Sequence, residues 1–451
     1  MTTRTMTTAA VPLAPLTNRR ILALAVPATL ASVTTPLIGF VGATVIGRLG
    51  DAALLGAVAL GGVVFDAIFW SFGCLRMATA GLTAQAVGAR DDVEVARTLA
   101  RSLAAGVLIG LLLVLAQVPI AALVALISGA SPEVLAGLAI YFHIRIFAAP
   151  FTLANYAILG SVLGRGRTDL GLLIQVAINL TNIALTLALV IVFGLGITGA
   201  AIAALVADMA GTAFGLAVVH RLGTRPFAVG RADVLDPAAL ARTLKINADV
   251  LIRTLALVAA IVLFSAVGAR FGDVTLAANA VLWNLFLIGG FFLDGFTVAS
   301  EAACGQAVGA RDRHAFAVAA RLSLLWSLGF GVAVSAVSLA AGSAFIDTVT
   351  TNPEVRLAAY GYLPFAAAAP FFAALPFAMD GIFVGATWTR AMRNLMLVAV
   401  VAYLLALVGF QALGWGNAGL WGAFLLFLAA RGIGQAVVYP RLRRGTFPEN
   451  A

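Results

Sequence analysis

The amino-acid sequence predicts an all-α integral membrane protein whose twelve transmembrane helices form two pseudo-symmetric six-helix lobes. Three observations lead there. The 451-residue chain is 62% hydrophobic and only 10% charged, with a mean hydropathy of +1.05, well outside the range of water-soluble domains. Its apolar stretches recur at the length an α-helix needs to cross a hydrocarbon core of roughly 30 Å. The heptapeptide QAVGARD occurs twice, at Gln85–Asp91 and Gln306–Asp312, 221 residues apart.

The echo extends beyond seven residues. Arg48-Leu-Gly-Asp51-Ala-Ala-Leu54 is answered by Arg270-Phe-Gly-Asp273-Val-Thr-Leu276, and Gly160 and Gly164 by Gly381 and Gly385. Matching punctuation at a near-constant offset argues for a duplicated domain, which in a membrane protein usually means a transporter. Six spans per copy bring the second copy into the membrane with the orientation of the first. The repeats are therefore parallel, related by an axis along the membrane normal, and a central cavity between them is the expected place for substrate.

Residues 1–20 form a polar tail without periodicity. The first span, 21–46, opens on the apolar run Ile21 to Pro27 with basic residues ahead of it, as a signal peptide would. Its duplicate near Ile246 sits mid-chain, so the segment is read as a retained helix. Spans at 53–82, 98–127, 134–160, 169–192 and 196–219 complete an N-lobe over 21–219, each an apolar run closed by short polar punctuation. A linker over 220–245, rich in Arg, Pro and Asp, marks the domain boundary. The C-lobe, 246–438, repeats the plan with spans at 246–268, 275–303, 317–345, 356–383, 394–413 and 417–438, and 439–451 forms a second tail. Gly and Pro inside many spans are compatible with transmembrane helices.

A formal net charge of +9 invites a nucleic-acid reading, but the placement of the basic residues excludes it. They gather in alternate loops and both termini, Arg393 and Arg431 among them. The exceptions are Arg48, Arg270 and Arg356 in the opposite loops and Arg76, Arg145 and Arg253 within spans. By the positive-inside rule both termini face the cytoplasm. Cys74 and Cys304, too few to frame anything, are read as small packing residues.

Ionisable side chains at membrane depth are costly and tend to mark pathways. Asp294 and Glu301, seven residues apart in the eighth span, share a helix face, where mutual repulsion and lost solvation favour protonation of at least one. Asp380 stands alone in the tenth span between Pro376 and Gly385, where a bend would free backbone carbonyls for a cation. Asp66 and Asp208 are the acids of the first half, with Arg76 and Arg145 as the cations able to neutralise one of them. Asp249 and Arg253, four apart, are expected to pair with each other. Gln175, Asn179, Asn182 and Thr186 fall at i, i+4, i+7 and i+11 of the fifth span, one polar stripe facing water or a partner helix. Together with Trp70 and Arg76, that stripe is assigned to the substrate cavity. No His/Glu zinc spacing, Gly-x-Ser-x-Gly or phosphate loop is present, so neither an enzyme nor a metal or organic cofactor is expected. His143, His220 and His314 are isolated.

These segments resemble the multidrug and toxic compound extrusion (MATE) transporters, in particular the DinF-like branch. The run Phe69-Trp-Ser-Phe-Gly-Cys-Leu75-Arg76-Met77-Ala-Thr79-Ala-Gly81-Leu-Thr83-Ala-Gln85 is similar to that branch's second helix. Phe292-Leu-Asp294-Gly295 with Glu301 and the second heptapeptide resembles its eighth. Met379-Asp380-Gly381 through Met392-Arg393-Asn394 is similar to the tenth-to-eleventh junction, Asn247, Asp249 and Arg253 to the start of the seventh helix, and Ala430-Arg431-Gly432 with Tyr439-Pro440-Arg441 to the end of the chain. The resemblance covers essentially the whole chain. It implies the MATE fold, alternating access, and export of bulky, often cationic amphipathic compounds against Na⁺ or H⁺. The implied partners are small organic cations and the lipid bilayer of a bacterial plasma membrane, with a monomeric protein and no nucleic acid.

The departures matter. The branch usually carries an Asp in the first helix, where Pro36-Leu-Ile-Gly-Phe-Val41 is here followed by Gly42, and a second in the fifth helix, where Thr186 stands. Neither can take up a proton near neutral pH. Coupling then falls to Asp66 or Asp208 in the N-lobe or, preferably, to Asp380, Asp294 and Glu301 in the C-lobe. The alternatives are an uncoupled facilitator, or a lipid-linked precursor flippase, which would need a strongly cationic cavity.

Overall fold

The computed structural model describes residues 15–48 and 51–448, less the side chains of 35–38, 40 and 43. Most of the polar tail and much of the first-helix stretch after Pro36 thus lie outside the described residues. Twelve long helices follow one another: α1 (Asn18–Gly47), α2 (Ala52–Gly88), α3 (Asp92–Leu115), α4 (Pro132–Gly164), α5 (Thr168–Val192), α6 (Gly196–Arg221), α7 (Pro237–Phe271), α8 (Asp273–Gly309), α9 (Arg313–Val349), α10 (Pro353–Gly385), α11 (Thr389–Ala412) and α12 (Gly416–Thr446). The last eleven are each long and apolar enough to cross a membrane. Two boundaries differ from expectation. The second span breaks at Phe72–Gly73 into Ala52–Ser71 and Cys74–Gly88, and the third ends at Leu115, with Gln117–Ser128 a separate helix after Ala116.

The duplicated punctuation is duplicated helix-capping chemistry. In both heptapeptides the Arg adopts left-handed geometry, φ 57° at Arg90 and 56° at Arg311, which ends the helix. The Asp that follows caps the next one. Asp91 Oδ1 accepts from Glu94 N at 2.8 Å, and Asp312 Oδ1 from Ala315 N at 2.8 Å, each satisfying an otherwise orphaned amide. Likewise Ser131 caps α4 ahead of Pro132, and Asn352 caps α10 ahead of Pro353, with proline at the first turn where its missing N–H is harmless. A second left-handed stop recurs as Gly166 and Thr387.

The chain packs as two compact units. One joins Leu30–Thr83 to Asp91–Asn247; the other joins Met1–Thr29, Ala84–Arg90 and Ala248–Ala451. In the first, Leu99, Ala154, Ile158, Val162, Ile174 and Ile178 build a core among α3, α4 and α5. Gly160 brings α4 onto α2, because a Cβ there would stand 2.5 Å from the Arg76 carbonyl oxygen. Part of the 220–245 linker is anchored in this unit, since Arg97 pairs with Asp233 at 2.9 Å and Arg101 donates to the Asp233 carbonyl.

In the second unit, Phe264, Trp283, Phe286, Trp421 and Phe424 interlock between α7, α8 and α12. Gly381 repeats the approach of Gly160, its Cβ position lying 2.1 Å from the Thr297 carbonyl oxygen of α8. Small residues at such crossings are how membrane helices pack closely, since lipid is as apolar as Leu and supplies no net hydrophobic drive. α10 carries Pro364, Pro370 and Pro376 yet remains helical throughout. Hydroxyls of neighbouring helices bond its carbonyls, Thr297 to Phe377 O at 3.0 Å and Ser327 to Ala374 O at 2.9 Å. Cys74 and Cys304 are buried free thiols.

Candidate coupling and substrate sites

Asp380 is not alone. Its Oδ2 accepts from Arg253 of α7 and from Arg431 Nη2 of α12 at 2.8 Å, and its Oδ1 from Gln435 Nε2 at 2.7 Å. Asp380 and Arg431 are each 4% exposed, so one carboxylate and two guanidiniums share an enclosed site. The carboxylate is thereby committed to three donors, which corrects the reading of Asp380 as a lone acid waiting for a cation. Arg431, grouped by sequence with the cytoplasmic charges, is interior, and with Gln435 it is a residue that sequence reasoning missed. The signal available was its place inside the last apolar span.

The expected pair of Asp249 with Arg253 does not form. Asp249 accepts instead from Arg393 Nη1 at 2.6 Å and Thr389 Oγ1 at 3.1 Å, both on α11, while Arg253 turns to Asp380. Spacing of four residues permits a pair on one helix, but a buried carboxylate offered better-placed donors from another helix takes those. A reciprocal amide pair was also not anticipated: Asn279 and Asn417 exchange hydrogen bonds at 2.7 and 2.9 Å, and Trp421 Nε1 donates to Asn279 Oδ1 at 2.9 Å.

Asp294 and Glu301 lie in the unbroken helix α8. Glu301 is 2% exposed and Asp294 half-buried; seven residues separate them by about 10 Å along one face. Gly385 of α10 packs on the Glu301 carbonyl, where a Cβ would come within 2.5 Å. Beside Asp294, Gly295 lets α1 approach, a Cβ there falling 2.0 Å from Thr29 Oγ1.

In the other unit Asp208 of α6 accepts from Arg145 Nη1 and Thr152 Oγ1 of α4, each at 2.8 Å. Of the two candidate cations, Arg145 is therefore the one that neutralises it. The Arg145 guanidinium also lies over Phe65 and Phe69, 5.9 and 5.6 Å from their centroids, a cation–π arrangement. Asp66 is exposed on α2 and makes no ion pair among the described residues. Trp70 is 56% exposed, and Arg76 is half-buried.

The α5 stripe forms two local groups, Gln175 with Asn179 and Asn182 with Thr186. Gln175 Nε2 donates to Asn179 Oδ1 at 2.9 Å, Asn179 Nδ2 to Thr34 Oγ1 of α1 at 3.0 Å, and Thr186 Oγ1 reaches Asn182 Oδ1 at 3.5 Å. Of the two faces the periodicity allowed, a partner helix takes Asn179. Gly42, where the family's first acid is expected, has no atom within 4 Å of a Cβ position, and Thr186 is buried. No group of three His, Cys, Asp or Glu suited to a metal occurs among the described residues.

Duplicated bundles of long apolar helices with ionisable groups at depth define a polytopic membrane transporter. The MatE family model matches twice, over residues 27–188 and 251–411, and the chain belongs to that family. DNA damage-inducible protein F of Escherichia coli is 35% identical over 426 residues, covering 94% of this chain and 92% of the relative. Protein DETOXIFICATION 42 of Arabidopsis thaliana is 31% identical over 319 residues, 68% of this chain and 58% of its own. The fold matches the outward-facing structure of a multidrug resistance MATE family transporter with TM-score 0.82 at 19% identity, over 94% of this chain and 96% of that one. A MOP superfamily transporter from Pyrococcus furiosus matches equally, TM-score 0.82 at 19% identity, over 95% and 96%. The protein is thus a multi-pass membrane transporter of the efflux type that handles small molecules, and not an enzyme.

Proposed function

We propose that the chain is a cation-coupled antiporter, exporting bulky amphipathic organic cations across a bacterial plasma membrane in exchange for H⁺ or Na⁺. It would work as a monomer with both termini cytoplasmic, by alternating access between lobes at 21–219 and 246–438. Coupling needs an ionisable group whose charge states favour different lobe arrangements. The observation that carries the reading is the α8 face, where Glu301 is buried and Asp294 half-buried at membrane depth. Asp380 fits that role less well than its isolation in sequence suggested, because Arg253, Arg431 and Gln435 already hold it. Against a flippase for phosphate-bearing lipids stands the engagement of Arg145 with Asp208 and of Arg253 and Arg431 with the shared Asp380.

The test uses purified protein in proteoliposomes, with H⁺ and Na⁺ gradients imposed separately and export of a cationic dye followed. One of the two gradients should drive export, and Glu301→Gln or Asp294→Asn should abolish that drive. Wild-type rates from both variants and from their double substitution would remove α8 from the coupling step. Equal export with and without either gradient would instead establish a facilitator.

A further inference from the structure

Along α2 the side chains sort into two opposite stripes. Ala57, Gly61, Phe65 and Phe69 are buried; Gly61 lies against Tyr141, 2.6 Å from a Cβ position, and Phe65 stacks on Phe142 at 5.2 Å, both on α4. Ala59, Val63, Asp66 and Trp70 are exposed on the other side. Asp66 stands fourteen residues into this span, at the depth of the hydrocarbon. A carboxylate there cannot face lipid tails without heavy loss of solvation, so this stripe must face water or a charged occupant. Arg145, the cation on the facing helix α4, makes its ion pair with Asp208 and none with Asp66 among the described residues. That guanidinium is already bonded to Asp208 at 2.8 Å and lies over the rings of Phe65 and Phe69, which belong to the buried stripe.

We infer that Asp66 and Trp70 form a recognition site for an organic cation. One helical turn separates them, which sets their Cβ atoms roughly 6 Å apart on one face. The carboxylate supplies the counter-charge and the indole face the cation–π and apolar contact that a bulky ammonium or phosphonium requires. Ala59 and Val63 continue the same surface with small apolar groups. A hard metal cation such as Na⁺ is disfavoured, because it takes several oxygen ligands and the turn offers one carboxylate beside an indole with none. The inference rests on the export reading for its substrate class, while the acids proposed for coupling lie elsewhere, on α8.

The experiment is equilibrium binding of tetraphenylphosphonium to the purified full-length protein in detergent, without any gradient, beside the neutral dye Nile red. Asp66→Asn should weaken tetraphenylphosphonium binding by on the order of tenfold, equivalent to about 1.4 kcal/mol, and leave Nile red binding and the melting temperature unchanged. Asp66→Glu should retain most of the affinity; Trp70→Ala should lose part of it and Trp70→Phe recover it. Unchanged tetraphenylphosphonium binding by Asp66→Asn, or equal loss of both probes, overturns the site. Should the wild-type protein bind Nile red but no tetraphenylphosphonium, the cationic substrate class falls with it. Wild-type affinity that survives Asp66→Asn defeats only this inference.

Discussion

Asp380 neutralises one of the two guanidiniums that touch it, and burial of all three groups makes its charge indispensable to the C-terminal unit. Asp380→Asn removes that charge and leaves Arg253 and Arg431 facing each other without it. Breaking a buried pair in this way costs about 3–5 kcal/mol, because the abandoned charge remains desolvated. We predict a strong loss of thermal stability for Asp380→Asn in detergent, partly recovered in Asp380→Asn/Arg431→Met, which removes one of the two cations. A wild-type melting curve for the single variant would contradict this and return Asp380 to the list of coupling acids. At this scale the sequence was partly legible. It placed Asp380, Asp208 and Asp249 at depth, and it named Arg145 as a neutralising cation. It misassigned Arg253, because spacing along one helix is visible in the chain whereas the 127 and 51 residues that separate Arg253 and Arg431 from Asp380 hide a shared site. The Asn279–Asn417 pair, 138 residues apart, was invisible for the same reason.

Helices here are positioned by glycines whose necessity differs sharply from place to place. A Cβ at Gly381 would lie 2.1 Å from both Ser300 Oγ and the Thr297 carbonyl oxygen, and the latter is backbone that cannot swing aside. At Gly409 of α11 nothing lies within 4 Å. Gly381→Ala should therefore force α8 and α10 apart at a cost of about 1–3 kcal/mol or more. Gly409→Ala should gain about 0.5–1 kcal/mol from helix propensity. Melting temperatures of the two variants, compared with wild type, check the contrast; a neutral Gly381→Ala would mean that the crossing is looser than the geometry requires. The apolar periods that located all twelve helices could not show where a helix breaks. Phe72–Gly73 and Ala116 interrupt continuous apolar runs that read as single spans, since hydropathy records the solvent a residue prefers and not the hydrogen bonds its backbone makes.

For the whole molecule the repeat is a contact as well as a copy. The segment Ala84–Arg90 groups with the C-terminal unit, and there the two heptapeptides meet reciprocally. A Cβ at Gly88 would stand 1.9 Å from the Gln306 carbonyl oxygen, and one at Gly309 1.8 Å from the Gln85 carbonyl oxygen. Gln85 Nε2 adds a bond to the Gly385 carbonyl at 2.9 Å, next to the tight α8–α10 crossing at Glu301. Each copy thus supplies the glycine that accommodates the other's glutamine backbone, a symmetry that duplication provides at once and that drift in either copy would break. Gly88→Ala and Gly309→Ala should therefore be equivalent, each displacing backbone at a cost of about 1–3 kcal/mol. Their combination should be less than additive, because the first methyl already opens the gap into which the second would fit. Neighbouring sites of this kind couple by about 0.5–3 kcal/mol. A double-mutant cycle on the melting temperature measures that coupling directly. Additive losses, or one substitution tolerated while the other is not, would show that the two heptapeptides no longer act as one symmetric joint.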